Sequence, residues 1–350
     1  MKEWEKNFRR VVPYTPGEQP KNANVIKLNT NENPYPPSPK VMEALQAVSR
    51  DRLRLYPDPT ASVLVNAIAA RYEVEPECVF VGVGSDDVLA MAFMTFFQSA
   101  KPVFFPDITY SFYPVWADLF RVPYKKIPLA EDFSIRPQDY YPANGGVIFP
   151  NPNAPTSRYE SLEVLEDILQ HNQDVVVIID EAYIDFAGPS ALPLLKKYEN
   201  LLIVQTFSKS RSMAGMRIGY AIGSPGLIKA MSDVKYSFNS YTMSQACLAM
   251  GTAAVEDEEY FQEMIRRIRR TRDMSGQRFK ELGFSFPEPG ANFIFVKHER
   301  SKARDLFALL RENNIFVRYF DQPRIDDYLR VTIGTDQQMD ALFAFLKKHL

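Results

Sequence analysis

Between residues 77 and 223, short apolar runs alternate with longer segments of mixed polarity. The runs "CVFVGVG", "PVFFP", "VPYKKIPL", "GGVIFP", "VVVIID", "LLIVQT" and "IGYAIG" are rich in β-branched and aromatic residues, which predicts strands. Helical patterns fall between them, over 86–98 and 161–170 among others. Most of the strand runs are continuously apolar instead of alternating. A strand of that kind is buried on both faces, so the pattern predicts a mainly parallel, seven-stranded sheet with helices on each side. In such a sheet the ligand crevice lies beyond the carboxyl ends of the strands, and the unusual residues of this sequence gather there.

A long helical pattern follows over 257–282. Phe261, Met264, Ile265, Ile268, Phe279 and Leu282 recur along it at helical spacing, with an arginine-rich outer face. Three further strand runs, "NFIFVKH", "IFVRYF" and "YLRVTIG", are separated by helical stretches and predict a second, smaller α/β domain. The Pro-rich "NENPYPPSP" marks the crossing between the two. The expected organisation is an arm over 1–36 that belongs to the small domain, a large domain over 37–260, and a small domain over 261–350 opened by the linking helix.

Composition narrows the classes. The 350 residues are long enough for a large and a small domain, and 46% hydrophobic with 24% charged residues describes a globular chain with a sizeable core. The net charge is −2 with both signs interspersed, so neither a nucleic-acid nor a membrane partner is expected. The apolar runs are too short to span a bilayer, and the charged first twenty or so residues lack the apolar core of a signal peptide. Cys78 and Cys247 lie far apart and the 3 histidines are scattered. No disulfide framework, zinc site or other metal centre is expected, and a reducing cytoplasm is the expected compartment.

The chemistry concentrates in "TFSKSRSMAGMRIGYA", just after the strand run "LLIVQ". Thr206, Ser208, Ser210 and Ser212 surround Lys209, and Gly215 and Gly219 bracket Arg217. Hydroxyls and a guanidinium suit a phosphate ester, and a desolvated lysine near other cations becomes a nucleophile. A second piece is "GVGSDDVL", a glycine-rich turn entering a helix, where the Ser85 and Asp86 amides at the helix N-terminus also suit a phosphate. No GxxxxGK[ST] or GxGxxG pattern is present, which leaves a nucleotide fold unsupported. The third is Asp180, closing "VVVIID", with Tyr183 three residues on. A carboxylate in an apolar pocket needs a cationic partner, and a protonated ring nitrogen is one. An amine, a phosphate site and an acid on a neighbouring strand are what pyridoxal phosphate requires.

These motifs carry a resemblance. "TFSKSRSMAGMRIGY" resembles the lysine signature of the class II pyridoxal-phosphate-dependent aminotransferases, of the aspartate aminotransferase fold. "LNTNENPYPPSP", "RLYPDP", "GVGSDDVL", "PDITYSFY", "NPNAPTS", "DEAYIDF" and "YLRVTIGT" follow that family's order over almost the whole chain. Within it, the pattern is most similar to the branch acting on histidinol phosphate. The resemblance implies that Lys209 bonds the cofactor and carries the proton, that Asp180 pairs with its pyridine nitrogen, and that Tyr183 hydrogen-bonds its ring oxygen. Tyr110 would stack on the ring, and Ser85, Asp86, Thr206, Ser208 and Arg217 would hold the phosphate. Tyr56, in "RLYPDP", would reach the cofactor phosphate of a neighbouring subunit, making the active unit a homodimer. Arg330 would bind the acidic end of the substrate, with Arg318, Asn33 and Tyr14 as further substrate contacts, Tyr14 coming from the other subunit.

The implied activity is transfer of an amino group between histidinol phosphate and 2-oxoglutarate, giving glutamate. Within the fold the alternatives are an aromatic amino-acid aminotransferase or a decarboxylase of a phosphorylated substrate. Outside it stands a non-catalytic sensor of pyridoxal phosphate, against which the lack of an appended basic DNA-binding module argues. Two departures are visible. The family usually reads Asn-Pro-Thr-Gly where this chain has Ala154-Pro155-Thr156-Ser157, so Asn153, or else Asn151, is expected to supply the missing amide. Arg211 stands where an aromatic residue is common, and its side chain is expected in solvent.

Overall fold

Seven of the strand runs pair into one sheet; six are buried along their whole length, and the seventh, with Lys125 and Lys126 exposed, lies at an edge. The computed structural model describes residues 2–21 and 24–350. In chain order the strands are β1 (Ile26–Lys27), β2 (Val79–Gly82), β3 (Val103–Pro106), β4 (Tyr124–Ile127) and β5 (Val147–Pro150). They continue with β6 (Val177–Asp180), β7 (Leu201–Thr206), β8 (Gly219–Gly223), β9 (Phe284–Ser285) and β10 (Phe293–His298). Last come β11 (Ile315–Phe316), β12 (Arg318–Tyr319) and β13 (Leu329–Thr332). The large sheet runs β2-β8-β7-β6-β5-β3-β4. Only β8 runs against its neighbours; every other pairing is parallel.

Both faces of that sheet are covered. Phe80, Ile148, Ile178, Leu202 and Val204 pack against Val88 and Phe93 of the helix Ser85–Phe96, Trp116 of the helix Phe112–Phe120 and Met231 of the helix Pro225–Phe238. On the other face Val147, Phe149, Val177, Ile179 and Ile203 meet Leu165, Ile168 and Leu169 of the helix Leu162–Gln170. This double burial explains why the strand runs do not alternate.

A four-stranded sheet of order β12-β13-β10-β9 carries the C-terminal part. The run "IFVRYF", expected as one strand, is split. Ile315 and Phe316 pair in parallel with Ile26 and Lys27, whereas Arg318 and Tyr319 pair antiparallel with β13. The chain changes sheets at Val317, which is 3% exposed.

The long helical pattern is the helix Glu258–Glu281. Asp257 alone separates it from the helix Gln245–Glu256, and its carboxylate accepts from Ser38 Oγ and from Lys40 Nζ. Its arginines are not all on the outer face, as the pattern suggested. Arg269 donates to the carbonyl oxygens of Asp185 and Ala187, and Arg272 to those of Phe186 and Ala291. The helix thereby satisfies main-chain acceptors in the segment after Asp180.

A second tie joins the two sheets at Ser157. Its backbone is left-handed, φ +64°, a conformation that disfavours a side chain. The hydroxyl donates to Phe293 O at 3.1 Å and accepts from Ala291 N–H at 2.9 Å, and the carbonyl accepts from Gly290 N–H at 2.7 Å. The serine thus gains two bonds where glycine would gain only conformational ease. Ser157→Ala keeps the unfavourable φ and loses both bonds, so it should cost about 2 kcal/mol or more of unfolding free energy. Ser157→Gly loses the same bonds but relaxes the backbone, and should be less damaging by about 1 kcal/mol. Chemical denaturation of the two variants checks the order; a glycine variant no better than alanine would refute it.

Candidate active site

The strand ends converge on a cleft whose shape depends on two glycines. Gly82 of β2 and Thr206 of β7 both pair in register with Gly219 at the start of β8. A Cβ on Gly219 would lie 2.3 Å from Ser85 N, so only glycine lets the N-terminus of the helix Ser85–Phe96 come so close. Gly84 turns into that helix with φ +82°, and a Cβ there would strike the Arg217 guanidinium at 2.5 Å.

Two adjoining cavities result. One, of about 180 Å³, is lined by Ser85, Asp86, Asp180, Thr206, Ser208 and Arg217. The other, of about 160 Å³, is lined by Tyr14, Asn31, Arg318, Phe320 and Arg330. Thr30, Tyr110, Ala154, Tyr183 and Lys209 line both. Lys209 therefore stands at their junction, its Nζ donating to Thr30 O at 3.2 Å and lying 5.6 Å from the Tyr183 ring centre.

The first cavity gathers anion donors at one end. Arg217 Nη1 donates to Ser208 Oγ at 3.4 Å and Nη2 to Asp86 Oδ2 at 3.0 Å. Asp86 also accepts the Tyr110 hydroxyl at 2.8 Å, and Thr206 Oγ1 donates to Ser208 Oγ at 3.1 Å. A guanidinium, two hydroxyls and a helix N-terminus form a cradle for a phosphate. At the other end Asp180 is 4% exposed. Tyr113 donates to its Oδ2 at 3.0 Å and Ala182 N–H to its Oδ1 at 3.2 Å. Burial pushes its carboxyl up to about 6, opposed by those two donors. A phosphate cradle, a buried acid and an amine within one cavity fit a phosphorylated pyridine aldehyde.

The second cavity holds two guanidiniums without counter-charge. Arg318 and Arg330 are direct cross-strand partners. Among the described residues neither forms an ion pair. Arg330 gives one bond, Nη2 to Asn29 O at 2.8 Å, and its Nε is buried without a partner. Desolvation foremost, and the neighbouring Arg318 charge, push its pKa down against the pull of Tyr183. A desolvated guanidinium with a second one beside it, both lining one cavity, is an arrangement that suits a dianion.

Several expected residues sit elsewhere. The Asn153 amide is bound to Ile108 O at 2.9 Å and Thr156 Oγ1 at 3.0 Å, and that of Asn151 to Glu160 O at 3.0 Å; neither side chain lines a cavity. Asn33 donates to Ser210 O at 3.1 Å and accepts from Tyr35 N–H, so it braces the loop instead of facing a ligand. The amide that does reach in is Asn31, whose Nδ2 donates to Tyr183 Oη at 2.9 Å. Its backbone is left-handed, φ +57°.

Tyr14 lines the second cavity of its own chain, stacked on Phe112 at 4.1 Å, and need not come from another subunit to do so. Tyr56 lines neither cavity; it is 80% exposed and lies 4.7 Å from the Tyr241 ring. Arg211 is not in solvent: at 7% exposure it donates to Ala254 O and lies 4.1 Å over the Phe261 ring. It caps the C-terminal turn of the helix Gln245–Glu256 and tethers the Lys209 loop to the next helix.

The sequence profile of the family "Aminotransferase class I and II" matches residues 23–346. The chain is 52% identical over 335 residues to histidinol-phosphate aminotransferase 1 of Hydrogenovibrio crunogenus, covering 96% of this chain and 94% of that one. It is 52% identical over 349 residues to histidinol-phosphate aminotransferase 2 of Dechloromonas aromatica, covering 99% and 98%. Among solved structures it resembles the histidinol-phosphate aminotransferase of Sinorhizobium meliloti in complex with pyridoxal-5'-phosphate, with TM-score 0.85 and 25% identity over 92% of this chain and 90% of that one.

Behind Asp180, the Glu181 carboxylate is 1% exposed and accepts from Ser190 Oγ, Ala191 N–H and Gln205 Nε2. Burial still pushes it up to about 7. Both acids thus bind a proton more tightly folded than unfolded. Their contribution to stability is present at low pH and lost as pH rises through about 6 for Asp180 and about 7 for Glu181. In Glu181→Gln the fall in Tm of the ligand-free protein from pH 5 to 8 should be shallower than in wild type, by on the order of 3 kcal/mol in unfolding free energy. Parallel Tm–pH curves for the two proteins would count against this.

Proposed function

This chain belongs to the class I and II aminotransferases, and on that premise we propose that it moves the amino group between L-histidinol phosphate and 2-oxoglutarate. The products are imidazole acetol phosphate and glutamate, pyridoxal phosphate is the cofactor, and the step serves histidine biosynthesis. One observation carries the substrate reading: Arg318 and Arg330 face the second cavity together with no acidic partner among the described residues. An α-carboxylate has one charge, which a single bidentate guanidinium satisfies. A phosphate monoester carries about −1.5 to −2 with three acceptor oxygens and favours two. The names of the relatives at 52% identity agree.

When bound, pyridoxal phosphate supplies an electron sink for the carbon that carries the amine. The chain's own residues do the rest. Ser85, Asp86, Thr206, Ser208 and Arg217 would hold the cofactor phosphate at the helix N-terminus. Asp180 would keep the pyridine nitrogen protonated, and Tyr110 would wall the ring's side of the cavity. Tyr183, already accepting from Asn31, keeps its own hydrogen for the ring oxygen. Arg318 and Arg330 fix the substrate phosphate, which sets the reacting carbon near the two-cavity junction. There Lys209 Nζ can take and return its proton, a role general acid–base groups fill with about 10²–10⁴-fold effect.

In this reading the active unit is a homodimer in the cytoplasm, with Tyr56 reaching the partner's cofactor phosphate. The support for the dimer is the surface around Tyr56, where Leu53, Leu55 and Tyr241 are also exposed.

Histidinol phosphate should be used better than histidine, phenylalanine or tyrosine by about a hundredfold or more in kcat/KM, as two charge-assisted contacts are at stake. Arg318→Ala should lower that value for the phosphate substrate while sparing unphosphorylated donors, and Arg330→Lys should also lower it, since lysine offers no planar fork. A wild-type preference for an unphosphorylated aromatic donor would overturn the reading. In a separate test, Lys209→Ala should abolish turnover at unchanged Tm. Borohydride should fix the cofactor to Lys209 of the wild type; a label on another lysine would remove Lys209 from its role.

A further inference from the structure

We propose that Tyr113 is a positioning residue that holds Asp180 as an aimed carboxylate through a one-way hydrogen bond. The inference rests on the role given to Asp180 above.

Tyr113 lies in the first turn of the helix Phe112–Phe120 and is 0% exposed. Its ring is fixed edge-on by Tyr110 and Phe105, each at 5.8 Å. A ring so held can send its hydroxyl in only one direction, and that direction ends on Asp180 Oδ2 at 3.0 Å. The other carboxylate oxygen is taken by Ala182 N–H at 3.2 Å, from the turn that follows β6. One donor on each oxygen fixes the rotation of the carboxylate and leaves its remaining lone pairs for the cavity. Burial and the Asp180 charge raise the Tyr113 phenol well above its ordinary value. Tyr113 is therefore a donor throughout the working range, and the bond favours the ionised acid.

The other groups that act on Asp180 divide. Lys209 favours its charge and Asp86 opposes it, while Tyr110 and Tyr183 are phenols on neighbouring walls. Tyr113 is the only side chain among the described residues that bonds to the carboxylate. Tyr110, three residues earlier, gives its hydroxyl to Asp86. One short segment thus supplies a phenol to two of the three acids in the cavity wall; the third, Glu32, is paired with Lys27.

If Tyr113 were only a core residue, removing its hydroxyl would lower Tm and nothing else. The test is the affinity of the full-length ligand-free protein for pyridoxamine phosphate, measured by fluorescence from pH 5 to 9. Wild-type affinity should fall as pH drops through the Asp180 transition. In Tyr113→Phe that fall should begin about one pH unit higher, a tenfold change in the protonation equilibrium. With 3-fluorotyrosine at position 113, a stronger donor, it should begin lower. In Asp180→Asn the transition should vanish, and adding Tyr113→Phe should change nothing further. Superimposed curves for wild type and the two Tyr113 replacements would overturn the proposal. Should Tyr113→Phe not fold, the fluorotyrosine curve decides alone. Failure of the wild type to bind pyridoxamine phosphate would instead sink the functional reading and this inference with it.

Discussion

Asp180 ends a parallel strand inside a core of isoleucine, valine and phenylalanine, and water reaches only 4% of its surface. An isolated carboxylate there would protonate. The surroundings can be understood as the set of groups that oppose this. Tyr113 and Ala182 each donate to one oxygen, and Lys209 adds positive charge nearby. They do so incompletely, leaving the acid near 6. A cationic ring nitrogen in the adjoining cavity would complete the compensation, so ligand-free strain and ligand binding have one cause.

The same logic, with the sign reversed, governs the opposite wall. Arg318 and Arg330 face each other across two antiparallel strands, where like charges repel. A fold selected for stability alone would place an acid between them. Among the described residues no acid stands there; a carbonyl and the Phe293 and Phe320 rings offset the repulsion in part, and an anion would relieve it further. The Arg217 site differs, because there Asp86 already supplies a counter-charge. An incoming phosphate must share the guanidinium with that carboxylate and draw its remaining donors from hydroxyls and helix amides.

Much of this was legible in the sequence. Continuous apolar runs identified the strands of the large sheet except the edge strand β4, whose run carries two lysines, and the hydroxyl cluster about Lys209 with Asp180 on the next strand identified the cofactor chemistry. What escaped lies where local pattern carries no signal. Tyr113 meets Asp180 across 67 positions and Asn31 meets Tyr183 across 152, and nothing local marks either pairing. Asn33, implied by resemblance as a substrate contact, bonds within the loop instead, and Asn31 two residues earlier lines the cavity. Arg211 misled for a different reason. An arginine where an aromatic residue is common was expected in solvent, yet a ring in the next helix and a helix C-terminus together form a site for its guanidinium.

The departure at Ala154 shows how the fold compensates for a lost donor. Alanine there supplies no amide to the cavity wall, and Asn151 and Asn153 are engaged elsewhere. The amide arrives instead from the N-terminal segment. Thr332 donates its hydroxyl to Asn31 Oδ1 at 3.0 Å, which leaves Nδ2 free to point at Tyr183. Thr332 stands two residues from Arg330 on β13. A continuous path therefore runs from Arg330 through Thr332 and Asn31 to the tyrosine beside Lys209. The register of one short strand fixes both the guanidinium that would hold the substrate and the amide that orients Tyr183, so the distance between those two functions is set by the pitch of β13.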